Sequence, residues 1–215
     1  MAITKSVITS GSEMKAFLEA SGFFGSVTID GLTNISCYDE DSNKVFGTSN
    51  YGANWEAYAD TNNYKRISNL GWSCTGYSTS KGILLIPDGD NKLPCIISKT
   101  NNGAYCTLLP GTGIAYVNTN NVCTTDVQFA VGWGDVSPFY ENVYSGVAAS
   151  PGTKAGLVVS NQTILCPIPT RGGYGEPSYF ADAYFMPVSQ YRTEGVIDIN
   201  GVKYVTDGIA CLRDA

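Results

Sequence analysis

The chain contains no histidine. A Ser-His-Asp triad, a Cys-His dyad and a zinc site with an imidazole ligand are therefore excluded. Acid–base work would fall to carboxylates. Glu141, Glu176, Asp182 and Asp198 are the candidates for a glycosidase-like pair, which needs two carboxyl groups about 5–9.5 Å apart across the scissile bond. Nothing in their context brings any two together, so no catalytic residue is assigned and the expectation is a non-enzyme. Asp39-Glu40-Asp41 and Asp88-Gly-Asp90-Asn91 offer the oxygen ligands calcium takes. Neither is followed by the glutamate that closes a twelve-residue calcium loop, and both read as acidic turns. Arg171-Gly-Gly-Tyr-Gly175 is glycine-rich but lacks the strand–Gly-Lys-Thr–helix setting of a phosphate loop. The seven cysteines (37, 74, 95, 106, 123, 166 and 211) are odd in number and show no C-x-x-C spacing. Most lie in apolar runs and read as buried free thiols rather than metal ligands or a disulfide frame. No metal or cofactor is expected.

Aromatic residues are the remaining candidates for a binding surface. The chain has 14 Tyr and 3 Trp, and Tyr51, Trp55, Tyr58 and Tyr64 gather in a polar stretch. Aromatic faces stack on the apolar faces of sugars while amides and acids take the hydroxyls, so a host-surface glycan is one ligand class. The competing role is packing of the sheet or a subunit contact, where Tyr and Trp combine large area with a polar tip.

Composition narrows the partners. Thirteen basic residues against nineteen acidic ones give a net charge of −6, which argues against sequence-independent nucleic-acid binding. Charged residues make up 15%, against about 25% in an average soluble domain. Hydroxyls, amides and 24 glycines suit β-structure with many turns and a surface covered by neighbours. No apolar run approaches the ~18 residues of a membrane span, so no membrane insertion is expected. The opening Met-Ala-Ile-Thr-Lys-Ser lacks the apolar core of a signal peptide, and production in the cytosol is the expectation. The sequons at Asn34-Ile-Ser36 and Asn161-Gln-Thr163 then read as chance matches.

The elements that must position these residues are mainly β. One helix, 10–22, is expected. Ser10 caps it, Glu13 reaches back as in a capping box, Met14, Phe17 and Leu18 form one apolar stripe, and Gly22 stops it. The stripe is expected to pack on the chain's own sheet. Short strands follow at 26–30, 35–38 and 44–46, then a long polar loop over 48–63. Hairpins are read at 82–87 with 93–98 and at 104–109 with 114–118, and another strand at 126–132. Loops are expected at 146–155 and 170–178. The C-terminal hairpin, 195–213, turns at Asn200-Gly201, the strongest two-residue hairpin signal. Connections too short for crossover helices make the sheets antiparallel. The reading is a single β-rich domain over 1–215: an antiparallel β-sandwich or partly closed barrel with one short N-terminal helix.

The segments Ala2-Ile-Thr-Lys-Ser-Val-Ile-Thr-Ser-Gly-Ser-Glu13 and Ala183-Tyr-Phe-Met-Pro-Val-Ser-Gln-Tyr191, with Gly195-Val-Ile-Asp-Ile-Asn-Gly-Val-Lys-Tyr-Val-Thr-Asp-Gly208 and the closing Leu212-Arg-Asp, resemble virion structural proteins, tail- or head-associated, of tailed bacteriophages and prophages. Many of those end in a strand, an Asn-Gly hairpin, a Tyr-containing strand and a short last strand. This chain departs from them at Ile209-Ala-Cys211, where the family tends to carry an aromatic. The resemblance spans about the first 15 and last 35 residues. It implies a virion component assembled in the bacterial cytoplasm, with other virion proteins and copies of itself as partners. A tail- or baseplate-associated part is expected first. Capsid decoration, or a carbohydrate-binding host-recognition module, is the alternative. The assembly hairpin would be carried by Asn200, Gly201 and Tyr204.

Overall fold

The structure is a computed structural model. It describes residues 2–31, 34–48, 55–58, 64–67, 72–88, 95–99, 105–109, 115–117, 122–125, 128–133, 136–142, 147–148, 158–159, 164–171, 177–185, 194–208 and 210–215. Strand β1 (Thr4–Ile8) precedes the helix α1 (Gly11–Ala20). Then come β2 (Ser26–Asp30), β3 (Asn34–Tyr38), β4 (Lys44–Thr48), β5 (Trp55–Tyr58), β6 (Tyr64–Ile67), β7 (Cys74–Thr79), β8 (Gly82–Pro87) and β9 (Cys95–Lys99). The middle of the chain supplies β10 (Tyr105–Leu109), β11 (Ala115–Val117), β12 (Val122–Thr125), β13 (Gln128–Trp133), β14 (Val136–Asn142), β15 (Val147–Ala148) and β16 (Val158–Val159). The last strands are β17 (Ile164–Arg171), β18 (Pro177–Phe185), β19 (Gly195–Ile199), β20 (Val202–Thr206) and β21 (Ala210–Arg213).

The fold is mainly β, with antiparallel pairing and one helix among the described residues, as expected. A seven-stranded sheet runs β1-β7-β8-β9-β10-β13-β14. A five-stranded sheet runs β2 to β6 in order, and a C-terminal sheet runs β16-β17-β18-β21-β20-β19, with β11-β12-β15 as a smaller one. Among the described residues none of these closes into a barrel, and the sheets stack as in a β-sandwich.

The seven-stranded sheet is central because two of its strands, β8 and β9, are apolar on both faces. Ile83-Leu84-Leu85 and Cys95-Ile96-Ile97 are all fully buried, and an unbroken apolar run on a strand requires cover on each side. Ile83, Leu85, Cys95 and Ile97 share a core with Met14, Phe17 and Leu18 of α1 and with Val27, Ile35, Cys37, Val45 and Phe46 of the five-stranded sheet. Leu84 and Ile96 have the other parity. On that side β21 lies against β8 and β18 against β9, presenting the fully buried cross-strand row Ala183, Leu212 and Val205.

Local chemistry sets the boundaries. Ser10 is the N-cap and its Oγ accepts from the Glu13 amide at 3.3 Å. The carboxylate of Glu13 reaches one residue further back than a capping box implies, accepting from the Thr9 amide at 2.7 Å and the Thr9 hydroxyl at 2.8 Å. The helix stripe packs on the chain's own sheets, as expected. Asn200 and Gly201 both have positive φ, 55° and 81°, the geometry of the two-residue turn between Ile199 and Val202.

Three expectations are corrected. The polar loop over 48–63 contains β5, which pairs with β4 and β6. Weak periodicity concealed it because pairing partners, not local pattern alone, make a strand. The hairpin of 104–109 with 114–118 does not form. Strand β10 is paired on both sides, by β9 and β13, and β11 joins β12 instead. Pro110-Gly-Thr-Gly113 announces a reversal but does not choose the partner. The loops at 146–155 and 170–178 are shorter than expected, since β15 takes 147–148 and β17 and β18 take 170–171 and 177–178. The remainders, 146, 149–155 and 172–176, lie outside the described residues.

Candidate functional site

The N-terminal strand and the residue that leads into the C-terminal hairpin meet in space. Strand β1 is the edge of the central sheet and pairs with β7, placing Lys5 opposite Tyr77. The residue that leads into β19, Glu194, sits over this pair. Its Oε1 accepts from the Tyr77 hydroxyl at 2.7 Å and lies 2.8 Å from Lys5 Nζ. The Lys5 ammonium is also 5.3 Å from the centre of the Tyr77 ring, within cation–π range.

The electrostatics follow from that contact. Glu194 is the main reason the Lys5 ammonium is raised from its ordinary 10.5 to about 12, with the Tyr77 hydroxyl next. In return Lys5 first, then Tyr77, holds the Glu194 carboxyl below the ordinary carboxylate value. Burial first, then the carboxylate it donates to, raises the Tyr77 phenol.

A second set of bonds ties the chain's last residues to the β7–β8 turn. Thr79 Oγ1 donates to the Arg213 carbonyl at 3.0 Å and Ser80 Oγ to the Asp214 carbonyl at 3.1 Å. The Ser80 amide donates to Asp214 Oδ1 at 3.3 Å, and the Asp214 amide donates to the Lys203 carbonyl at 2.8 Å. Position 80 thus holds position 214 through both its backbone and its side chain. This arrangement holds segments in place. Among the described residues no three His, Cys, Asp or Glu side chains gather as a metal site.

The nominated residues fall in separate places. Asn200 and Gly201 form the hairpin turn, where the Gly201 amide donates to Asp198 Oδ1 at 2.8 Å. Tyr204 is 2% exposed and packs edge-on against Tyr184, ring centres 6.0 Å apart. It anchors the hairpin from inside and presents no contact surface. Among the aromatic candidates, Tyr58 and Tyr64 are cross-strand partners and Trp55 pairs with Ile67. Tyr51 lies outside the described residues. Trp55 and the Tyr58–Tyr64 pair thus stand at opposite ends of the β5–β6 ladder. Of the carboxylates, Asp182 lies on β18 and Asp198 on β19, separated in strand order by β21 and β20.

Sequence reasoning missed Lys5, Tyr77 and Glu194. Tyr77 and Glu194 are 117 residues apart, and no spacing rule joins residues so distant. Comparison with known proteins found no matching family model, no similar curated protein and no similar solved structure.

Proposed function

We propose that this chain is a non-enzymatic structural component of a tailed-phage particle, tail- or baseplate-associated, that acts through contacts with copies of itself and with other virion proteins. One observation carries the reading. The N-terminal strand and the C-terminal hairpin, which resemble virion proteins, are joined into one unit through Lys5, Tyr77 and Glu194, and Ser80 of the β7–β8 turn holds Asp214 after the hairpin. That unit places two edge strands, β1 and β19, where they can add to a neighbour's sheet. Low charge fits a surface largely covered by neighbours.

The test is to label purified particles from the encoding phage or prophage with antibody against the chain, and to follow the chain by sedimentation. Label on the tail or baseplate, with the chain sedimenting with particles, is the expected result. Label spread over the head would move the assignment to capsid decoration. A chain found entirely in the soluble fraction of the lysate overturns the reading.

A further inference from the structure

Among the described residues, Val7 and Val196 are the large apolar side chains left exposed, at 69% and 51%. They are far apart in sequence, yet each stands two residues beyond one member of the same ion pair. Lys5 is followed by Val7 on β1, and Glu194 by Val196 on β19. Two residues of extended chain cover about 7 Å, so both valines flank the Lys5–Glu194 contact. Among the described residues each strand is also the edge of its sheet.

We propose that this flank, β1 with β19, is an interface between two copies of this chain, packed edge to edge with Val7 of one copy against Val196 of the other. The inference deepens the assembly function and rests on it.

Edge strands are commonly guarded by a lysine that a second strand would have to bury. Lys5 does not guard this edge, because its charge is turned onto Glu194 at 2.8 Å. Charge then selects the occupant. The chain carries −6 overall, so two copies repel each other on average. The flank does not. Among the described residues, β1, Glu194, β19 and β20 carry Lys5, Glu194, Asp198 and Lys203 as charged side chains, two of each sign, with Asp198 and Lys203 as cross-strand partners. A two-fold axis sets β1 against β19 twice over, as an isologous contact requires, and brings together segments whose charges balance within each copy. A strongly basic or acidic partner gains nothing from a neutral flank.

Sedimentation equilibrium of the full chain tests this, with Val7→Lys/Val196→Lys and Val7→Thr/Val196→Thr as variants. The wild type is expected to self-associate, and the lysine pair to raise the dissociation constant on the order of 100-fold or more. The threonine pair keeps strand propensity, is expected to raise it in the same direction by less, and decides the matter if the lysine pair misfolds. Self-association that neither pair moves overturns the flank and leaves the assembly function standing. A wild type still monomeric at about 100 μM overturns the flank, and if the chain is also absent from particles, both fall.

Discussion

Cys37, Cys74, Cys95 and Cys211 are buried and unbridged, and their surroundings make them inert. Burial, then the nearby Asp88 carboxylate, pushes the Cys74 thiol up to about 12. Burial likewise raises Cys37, Cys95 and Cys211. The thiolate is the reactive form, so an aromatic disulfide reagent at pH 8 is expected to leave these four unlabelled in the native protein and to label all seven cysteines after denaturation without reductant. Fast native labelling of any of the four, mapped by mass spectrometry, would contradict their burial. Glu194 gives a pH-dependent prediction. Its folded pKa lies below the unfolded value, so it stabilises the fold above the ordinary carboxylate range and loses that contribution as pH falls through its lowered value. The stability gap between wild type and Glu194→Gln should be constant from pH 6 to 7 and close on acidification below about pH 4. A gap that widens in acid would reverse the sign. Tyr77→Phe removes one hydrogen bond to that half-exposed carboxylate, at a cost of about 1 kcal/mol readable by urea denaturation.

Packing between α1 and the central sheet turns on the absence of a side chain. A Cβ at Gly76 would meet the Phe17 ring at 2.7 Å and the Ile8 side chain at 3.0 Å, so the helix seats Phe17 directly on the backbone of β7. Gly76→Ala is expected to destabilise the chain by about 1–3 kcal/mol, with Phe17→Leu in the same background recovering part of the loss because the ring that clashes is gone. Additive losses in the double variant would place Phe17 elsewhere. The sequence announced much at this scale. Ser10, Glu13 and the Met14, Phe17 and Leu18 stripe foretold α1, and Asn200-Gly201 foretold the β19–β20 turn, because both signals act within one or two turns of chain. Pairing was less legible. Nothing local told β10 to take β13 rather than β11, or gave polar 55–58 a place between β4 and β6. Those choices depend on which edge the rest of the sheet leaves open. The candidate site was illegible for the same reason: Lys5, Tyr77 and Glu194 come from three elements, and only the fold makes them neighbours. By contrast, Tyr204 was legible as part of the hairpin but not as interior, since its burial depends on the distant Tyr184.

For the molecule as a whole, the C-terminal hairpin closes the core as well as forming part of the flank. Strand β21 is fully buried at Ala210, Cys211 and Leu212, and it lies between β18 and β20 in the sheet while resting on β8. Removing residues 195–215 would expose one face of Leu84 and Ile96, strip Ala183 and Tyr184 of their cover, and leave the outer edge of β18 without its partner. Each large buried aliphatic returned to water costs about 1.5–3 kcal/mol. Several such losses together match the ~5–15 kcal/mol by which a domain is stable. The truncated chain is therefore expected to lose its cooperative thermal transition, bind a hydrophobic dye and aggregate, and for that reason to be missing from particles. Its absence from particles would then say nothing about the flank. Val7→Lys/Val196→Lys separates the two roles, because those side chains point into solvent and their replacement leaves β21 seated. A truncated chain that still melts cooperatively within a few degrees of the full one would show that β1 to β18 carry the core alone, and that the hairpin serves contacts only.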